Sequence, residues 1–200
     1  IIFVDRYLEG YEISSIISDN YGGGYKITEH FIKHGYRKIG FFAPPHAGIT
    51  SVVARFGGYC QALKDYGIAV KDSLAENPIH VSVPDDSLAN WAKYRRRIER
   101  YLKENKGIEA VFVYNDYCAT GFYSVCHAMG IRISQDLAIA GFDDVGASNL
   151  IPPLTTVHQD GYEMGRRAAE MILQMIKGGE CQERQIIVPI ELKIRKSCGC

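Results

Sequence analysis

The sequence predicts an α/β protein made of two lobes, each built on a parallel β-sheet. Short apolar runs alternate with longer amphipathic segments along the chain, which is typical of parallel strands with helices packed on both faces of a sheet. Two pairs of adjacent prolines, at 44–45 and 152–153, interrupt this alternation. Because proline is excluded from helix interiors and central strands, we expect the chain to cross between lobes at these pairs.

These crossings divide the chain into two predicted lobes. Residues 1–45 and 155–200 are expected to form the first lobe, and residues 46–154 the second. The chain opens on an apolar run that is only as long as a strand, Ile1–Val4. This run is too short for a signal peptide or a membrane span. Because the first residue is Ile1 rather than Met, the chain is expected to begin partway through a domain, which would leave the first lobe incomplete at its N-terminus.

The strands and helices follow from the spacing of apolar residues. Buried or β-branched runs predict strands at 1–4, 13–17, 38–43, 79–83, 109–114, 137–140, 154–157, 185–188 and 190–194. Helical periodicity predicts helices at 21–33, 52–66, 91–103, 116–129 and 161–177.

The start of the first helix carries the strongest local signals. Ser18-Asp19-Asn20 is a run of helix-capping residues, and such residues accept hydrogen bonds from the free backbone N–H groups of a first turn. Gly22-Gly23-Gly24 follows at once, although each interior glycine lowers helix stability by about 1 kcal/mol. We therefore predict that these glycines allow another part of the protein to approach the backbone closely.

Composition and charge exclude several classes of protein. The chain is 46% apolar and 23% charged, as in ordinary globular domains. Lys+Arg and Asp+Glu number 23 each, so the formal net charge is zero, which argues against nucleic-acid binding by the overall field. The one basic run, 95–97, falls on a predicted helix with Glu99 and is expected to be a solvated face. No contact with a membrane is expected.

The cysteines suggest a reducing compartment. Six cysteines are scattered along the chain without a CxxC pair, so free thiols and a cytoplasmic location are expected. Cys198-Gly199-Cys200 at the end of the sequence could bind a metal or oxidise, but the sequence around it contains no histidine. We therefore predict neither a metal site nor a cofactor.

Catalytic signatures are absent from the sequence. It contains no GxSxG, HExxH or GxxxxGK[ST] motif. His30 and His34 have the i, i+4 spacing of metal ligands, but no carboxylate accompanies them and Gly35 ends the helix. These two histidines are expected to be solvated or capping residues, and the protein is predicted not to be an enzyme.

Three polar residues are expected to meet at one cleft. Asn115 and Asp143 follow predicted parallel strands, and Arg55 lies near the start of a predicted helix. The carboxyl ends of parallel strands lie at one edge of a sheet, where such proteins bind ligands. A cation, an amide and a carboxylate together suit a polyhydroxylated ligand. The alternative for Asp143 is a capping or turn role, whereas the adjacent Asp144 is expected to point elsewhere and to be structural.

Several sequence blocks resemble a known family. The chain is similar to the effector-binding core of the LacI/GalR family of bacterial transcriptional regulators in the blocks IFVDR (2–6), SDNYGG (18–23), GYRKIGF (35–41), RFGGY (55–59), NDYCA (115–119), GFDD (141–144) and PPLTTV (152–157). Within that family, the sequence of these blocks most resembles that of arabinose-type repressors.

The resemblance implies a fold and a set of ligand contacts. It implies a periplasmic-binding-protein-like (type I) fold with two Rossmann-like lobes and a sugar-type effector between them. It also implies effector contacts from Arg55, Asn115 and Asp143, the same residues that the strand ends indicate. Tyr21 and Trp91 are further effector-binding candidates by resemblance, Trp91 as a platform for a sugar ring or, equally, as a core residue.

The resemblance also implies a function. A regulator of this kind would be a homodimer that senses its effector and controls operator DNA through a DNA-binding domain that is absent from this chain. The alternative is a periplasmic sugar-binding protein of a transport system, which shares the fold. The scattered cysteines argue against that alternative.

Overall fold

The protein is an α/β structure whose strands form two separate sheets. The computed structural model describes residues 1–8, 10–43, 49–71, 91–178 and 184–200. In these ranges the elements run in the order β1 (Ile2–Val4), β2 (Ser14–Ser18), α1 (Asn20–Lys33), β3 (Ile39–Phe42), α2 (Thr50–Asp65), α3 (Trp91–Glu104), β4 (Ala110–Val113), α4 (Asp116–Met129), β5 (Ala138–Asp143), β6 (Thr155–Gln159), α5 (Gly161–Ile176), β7 (Gln185–Val188) and β8 (Ile190–Lys193).

The predicted fold class is confirmed. The predicted elements in these ranges are all present, whereas the predicted strand at 79–83 and the proline pair at 44–45 lie outside the described residues. Among the described residues, no helix has both the length and the apolar character that crossing a membrane requires.

Strand pairing explains how the two sheets are built. The smaller sheet has the order β1-β2-β7 and is parallel. The larger sheet has the order β3-β4-β5-β6-β8, in which β8 alone runs antiparallel to its neighbour β6. The parallel arrangement brings the carboxyl ends of β4, β5 and β6 to one edge.

The pairing of three strands differs from the predicted lobe division. That division placed β3, β6 and β8 with β1 and β2, but all three pair within the larger sheet. The chain therefore leaves the smaller sheet at the end of β2 rather than at the proline pair that follows β3. Prolines mark breaks in local structure, but which sheet a strand joins depends on contacts with distant residues.

The larger sheet carries most of the hydrophobic core. Helices α1 to α4 pack against it, and its fully buried side chains include the aromatic residues Phe41, Phe42, Phe112 and Phe122. The smaller sheet packs against α5 through a separate cluster of Ile16, Met164, Ala168, Met171 and Val188. Each sheet thus has its own apolar core, as expected for two lobes.

Helices α1 and α2 cross with their backbones almost in contact. A Cβ atom on Gly24 would lie 2.1 Å from the backbone oxygen of Arg55, and one on Gly58 would lie 2.0 Å from that of Tyr21. These distances are too short for any side chain, so glycine is required at both positions. The predicted close approach at the glycine run is therefore an approach of α2, and it determines where Arg55 sits.

We expect Gly58→Ala to destabilise the protein strongly. The added methyl group would collide with the backbone of α1, and overpacking of this kind costs about 1–3 kcal/mol or more. The matched control is Gly165→Ala in α5, where a Cβ atom meets nothing within 4 Å. That change should stabilise the protein by roughly 0.5–1 kcal/mol, because alanine favours helix. Thermal and urea unfolding of both variants would measure the difference, and equal stabilities would contradict the backbone contact.

Candidate functional site

A cleft between the two sheets brings the predicted polar residues together. Its volume is about 610 Å³, within the range of small-molecule sites. Asp5 and Arg6 follow β1 in the smaller sheet, while Arg55, Asn115 and Asp143 come from the larger lobe. The described residues that line the cleft are Asp5, Arg6, Ile49, Ser51, Val52, Arg55, Tyr114, Asn115, Asp143, Val145, Gln159, Gly161 and Met164.

Arg55 forms the floor of the cleft. Its side chain is only 5% exposed, and its guanidinium carbon lies 3.6 Å from the centre of the Phe142 ring. Nε donates to Asn20 Oδ1 at 2.8 Å, and Nη1 donates to the Tyr114 carbonyl oxygen at 2.6 Å. Burial lowers the pKa of Arg55, although the nearby Asp143 carboxylate raises it. These contacts leave Nη2 directed at Asp143.

Asp143 ends β5 in a strained conformation. Its φ is 112°, in a region that residues other than glycine rarely adopt, and such strain tends to occur at functional sites. Oδ1 accepts a hydrogen bond from Gln159 Nε2 at 2.6 Å and lies 3.6 Å from Arg55 Nη2. Burial raises the pKa of Asp143 to about 6, although Arg55 lowers it. A carboxyl group that is held this way can accept hydrogen bonds from a ligand when it is ionised.

Asn115 combines a capping role with a place in the lining of the cleft. Asn115 caps α4, and its Oδ1 accepts a hydrogen bond from the Cys118 backbone N–H at 2.9 Å. This bond orients the side-chain amide, so its NH₂ group remains a donor for the cleft. Asn115 therefore positions α4 and can also contact a ligand.

Asp144, which was predicted to be structural, points away from its neighbour. Its Oδ1 accepts from Arg195 Nη2 at 2.6 Å, and its Oδ2 lies 3.2 Å from His158 Nδ1. Asp144 also has a positive φ of 61°. The two adjacent aspartates thus occupy different environments, with Asp143 at the cleft and Asp144 against the C-terminal segment.

Tyr21 and Trp91 lie away from this group. Tyr21 lines a smaller adjoining cavity of about 100 Å³, which shares Asp5 and Ser51 with the cleft. The Trp91 ring lies 5.6 Å from that of Tyr94, packed against the hydrophobic core, and Trp91 is not among the described residues that line the cleft. A role for either residue in effector binding stays a prediction.

The sequence interpretation missed two residues that line the cleft, Gln159 and Asp5, and a buried aspartate, Asp116, that binds the lining residue Val145. Gln159 ends β6 and holds Asp143, and its position at a parallel strand end was the available signal. Asp5 lines the cleft after β1 and has a positive φ of 74°. Asp116 is buried and accepts hydrogen bonds from Thr156 Oγ1 at 2.6 Å and from the Val145 backbone N–H at 2.9 Å. Burial raises the pKa of Asp116 to about 7.

The charges that line the cleft cancel. Among the described lining residues, Arg6 and Arg55 are cationic, while Asp5 and Asp143 are anionic. A charged ligand would add a net charge to this partly desolvated cleft, and an uncompensated charge away from water has a high free-energy cost. A neutral ligand with several hydrogen-bonding groups would satisfy both donors and acceptors.

Comparison with known proteins places the chain in a family. The model for the periplasmic binding protein-like domain matches residues 28–198. The repressor PurR of Haemophilus influenzae (strain Rd) is 32% identical over 190 residues, which cover 92% of this chain and 53% of that protein. The regulator GalR of Escherichia coli K12 is 32% identical over 175 residues, covering 87% of this chain and 48% of GalR. The chain thus spans about half the length of these curated relatives.

Solved structures agree with these sequence matches. The transcriptional regulator CelR in complex with cellobiose superposes with a TM-score of 0.85 at 27% identity, covering 98% of this chain and 58% of CelR. A transcription regulator from Staphylococcus saprophyticus superposes with a TM-score of 0.84 at 28% identity, covering 99% of this chain and 70% of that one. The chain therefore belongs to the periplasmic binding protein-like domain family, and it is similar to about half of each of the LacI/GalR-type regulators named above.

Proposed function

We propose that the cleft binds a neutral sugar and that closure of the two lobes on this sugar regulates DNA binding by another part of the protein. The observation that carries the proposal is the convergence of Arg55, Asn115 and Asp143 in one cleft between the sheets. The protein would act in the cytoplasm as a sensor without catalytic activity.

The chemistry of the cleft favours a sugar. Asp143 supplies an acceptor, Asn115 supplies an oriented NH₂ donor, and Arg6 supplies a second cation opposite Arg55. Adjacent hydroxyl groups of a sugar both donate and accept, so they can pair with all of these groups. The volume of about 610 Å³ accommodates a mono- or disaccharide. CelR, whose structure is that of a cellobiose complex, supports a sugar as the ligand class.

The proposal of lobe closure is supported by the elements that line the cleft. Asp5 and Arg6 follow β1 of the smaller sheet, whereas Asp143 ends β5 and Asn115 caps α4 on the larger sheet. A ligand that bridges these groups binds the closed arrangement more tightly than the open one. It therefore shifts the population towards closure by its difference in affinity for the two states.

We expect Asp143→Asn to weaken sugar binding by roughly 5- to 150-fold, because losing one hydrogen bond to a charged, buried acceptor costs about 1–3 kcal/mol. Asparagine tolerates a positive φ, so the strained backbone should persist. The matched control is Asp136→Asn, which removes an exposed carboxylate that pairs with Arg132. Calorimetric titration with a panel of mono- and disaccharides should find a ligand for the wild type and the control. An Asp143→Asn variant with full affinity would remove Asp143 from the site.

Sugar affinity should fall as the solution becomes more acidic. The pKa of Asp143 is raised to about 6 in the free protein, and hydroxyl groups that donate to the carboxylate favour its ionised form. Affinity should therefore be constant well above pH 6 and decrease by up to tenfold per pH unit below it. The Asp143→Asn variant should lose this dependence, and an identical pH profile in both proteins would contradict the assignment.

We also propose that the protein acts as a homodimer, supported by an exposed apolar face on α5. On this face the exposed fractions of Ile172, Leu173 and Ile176 are 45%, 56% and 75%, and exposed patches of this kind mark interaction surfaces. Light scattering should show a dimer that Ile176→Glu weakens, whereas Tyr162→Glu at the other end of α5 should have little effect. A strict monomer at high concentration would contradict the dimer.

A further inference from the structure

Three metal-ligating side chains meet on the larger lobe, outside the cleft. The Cys198 and Cys200 sulfur atoms are 2.8 Å apart, and the Cys200 sulfur lies 3.5 Å from His30 Nε2. The three candidate ligand atoms all lie within 4.8 Å of one another, and no other group of three is found in the part of the chain that the structure describes. His30 comes from α1, so the fold brings together residues from opposite ends of the sequence.

The turn that carries the cysteines is firmly built into the lobe. Buried Ser197 donates to the Ile139 carbonyl oxygen at 2.6 Å and accepts from the Thr155 backbone N–H at 2.8 Å. Gly199 has a φ of 84°, and a Cβ atom there would lie 2.6 Å from the Tyr36 hydroxyl oxygen. The positive φ favours glycine at this position, and the resulting bend returns Cys200 towards Cys198.

We propose that His30, Cys198 and Cys200 form a binding site for a thiophilic metal ion of the Zn²⁺ type. Thiolate and imidazole ligands together select zinc and related ions rather than the oxygen-preferring Mg²⁺ or Ca²⁺. Three protein ligands from two separate elements leave the fourth tetrahedral position for water or another small ligand.

The observed distances require only a small adjustment to fit a metal ion. Bond lengths of about 2.3 Å to sulfur and 2.0–2.1 Å to nitrogen place tetrahedral ligand atoms roughly 3.5–3.8 Å apart. The Cys200–His30 distance of 3.5 Å already matches this spacing. The two sulfur atoms must separate by about 1 Å to bind a metal ion. Cys198 is buried and held by Thr155, whereas Cys200 is exposed, so we expect Cys200 to make this movement.

The surroundings of the site support ligand positioning. Thr155 Oγ1 lies 3.1 Å from the Cys198 sulfur and can donate to its thiolate, which is the kind of outer-shell contact that orients metal ligands. The ion would link α1 to the C-terminal turn and to β6. Because α1 also supplies Asn20, which holds Arg55, the metal would stabilise the helix on which the floor of the cleft depends.

Zinc and cobalt titrations of the chain would test this site. The protein is reduced with a phosphine, freed of metal and titrated with Zn²⁺ in competition with a chromophoric chelator, and with Co²⁺ as a spectroscopic probe. The wild type should bind one Zn²⁺ per chain and show sulfur-to-cobalt charge-transfer absorption. Cys200→Ser, at an exposed position, removes a direct ligand and should therefore lose at least the roughly 10- to 100-fold in Zn²⁺ affinity that outer-shell substitutions cost. Cys60→Ser, at a half-buried position on α2 outside the cluster, is the matched control and should bind normally.

Two results would overturn the proposal. The first is that the reduced wild type takes up no Zn²⁺, whether or not Cys198 and Cys200 form a disulfide (a loss of two hydrogens by mass spectrometry) before reduction. The second is that Cys200→Ser and Cys60→Ser bind Zn²⁺ equally, which would show adventitious binding elsewhere. Sugar titration of the same variants keeps the test independent of the proposed function, because neither cysteine lines the cleft.

Discussion

The buried guanidinium of Arg55 links α2 to α1 and to the ends of β4 and β5 at the cleft. It donates hydrogen bonds to Asn20 Oδ1 at the start of α1 and to the Tyr114 carbonyl oxygen just after β4. It also lies over the Phe142 ring and beside the Asp143 carboxylate, both in β5. Removing a charge from water is costly unless hydrogen bonds and an opposite charge compensate for it. The arginine can occupy this place only because glycines allow α1 and α2 to pack backbone against backbone. The geometry of the cleft therefore depends on the helix crossing.

The position and the pKa of Asp143 depend on its buried surroundings, which include Arg55. Arg55 and Gln159 hold one carboxylate oxygen, the backbone is strained at φ 112°, and burial raises the pKa of Asp143 to about 6. Asp116 accepts hydrogen bonds from Thr156 Oγ1 and from the Val145 backbone N–H, which fixes the loop after Asp143 as well. A carboxylate held in this way can accept hydrogen bonds from a neutral ligand, because forming them requires little rearrangement of the protein.

The sequence predicted most of the fold and three polar residues that meet in the cleft, Arg55, Asn115 and Asp143. Strand and helix positions follow from local periodicity, and the rule that ligands bind at the carboxyl ends of parallel strands was sufficient to select Asn115 and Asp143. The same rule applied to β6 would have found Gln159. The lobe division differed for β3, β6 and β8, because sheet membership depends on pairing over long separations that local patterns do not encode. Proline pairs indicate where a strand stops, not which sheet it joins.

By itself, then, the sequence determined the alternation of strands and helices, the capping of α1 and α4, and the polar residues at strand ends, since all of these depend on neighbours within a few positions. Only the tertiary structure decided which distant groups meet. Cys200 approaches His30 across 170 positions, and the Cys-Gly-Cys turn had been assigned no metal because no histidine lies near it in the sequence. Such contacts form when folding brings distant parts of the chain together. Local sequence patterns do not predict which distant residues will meet.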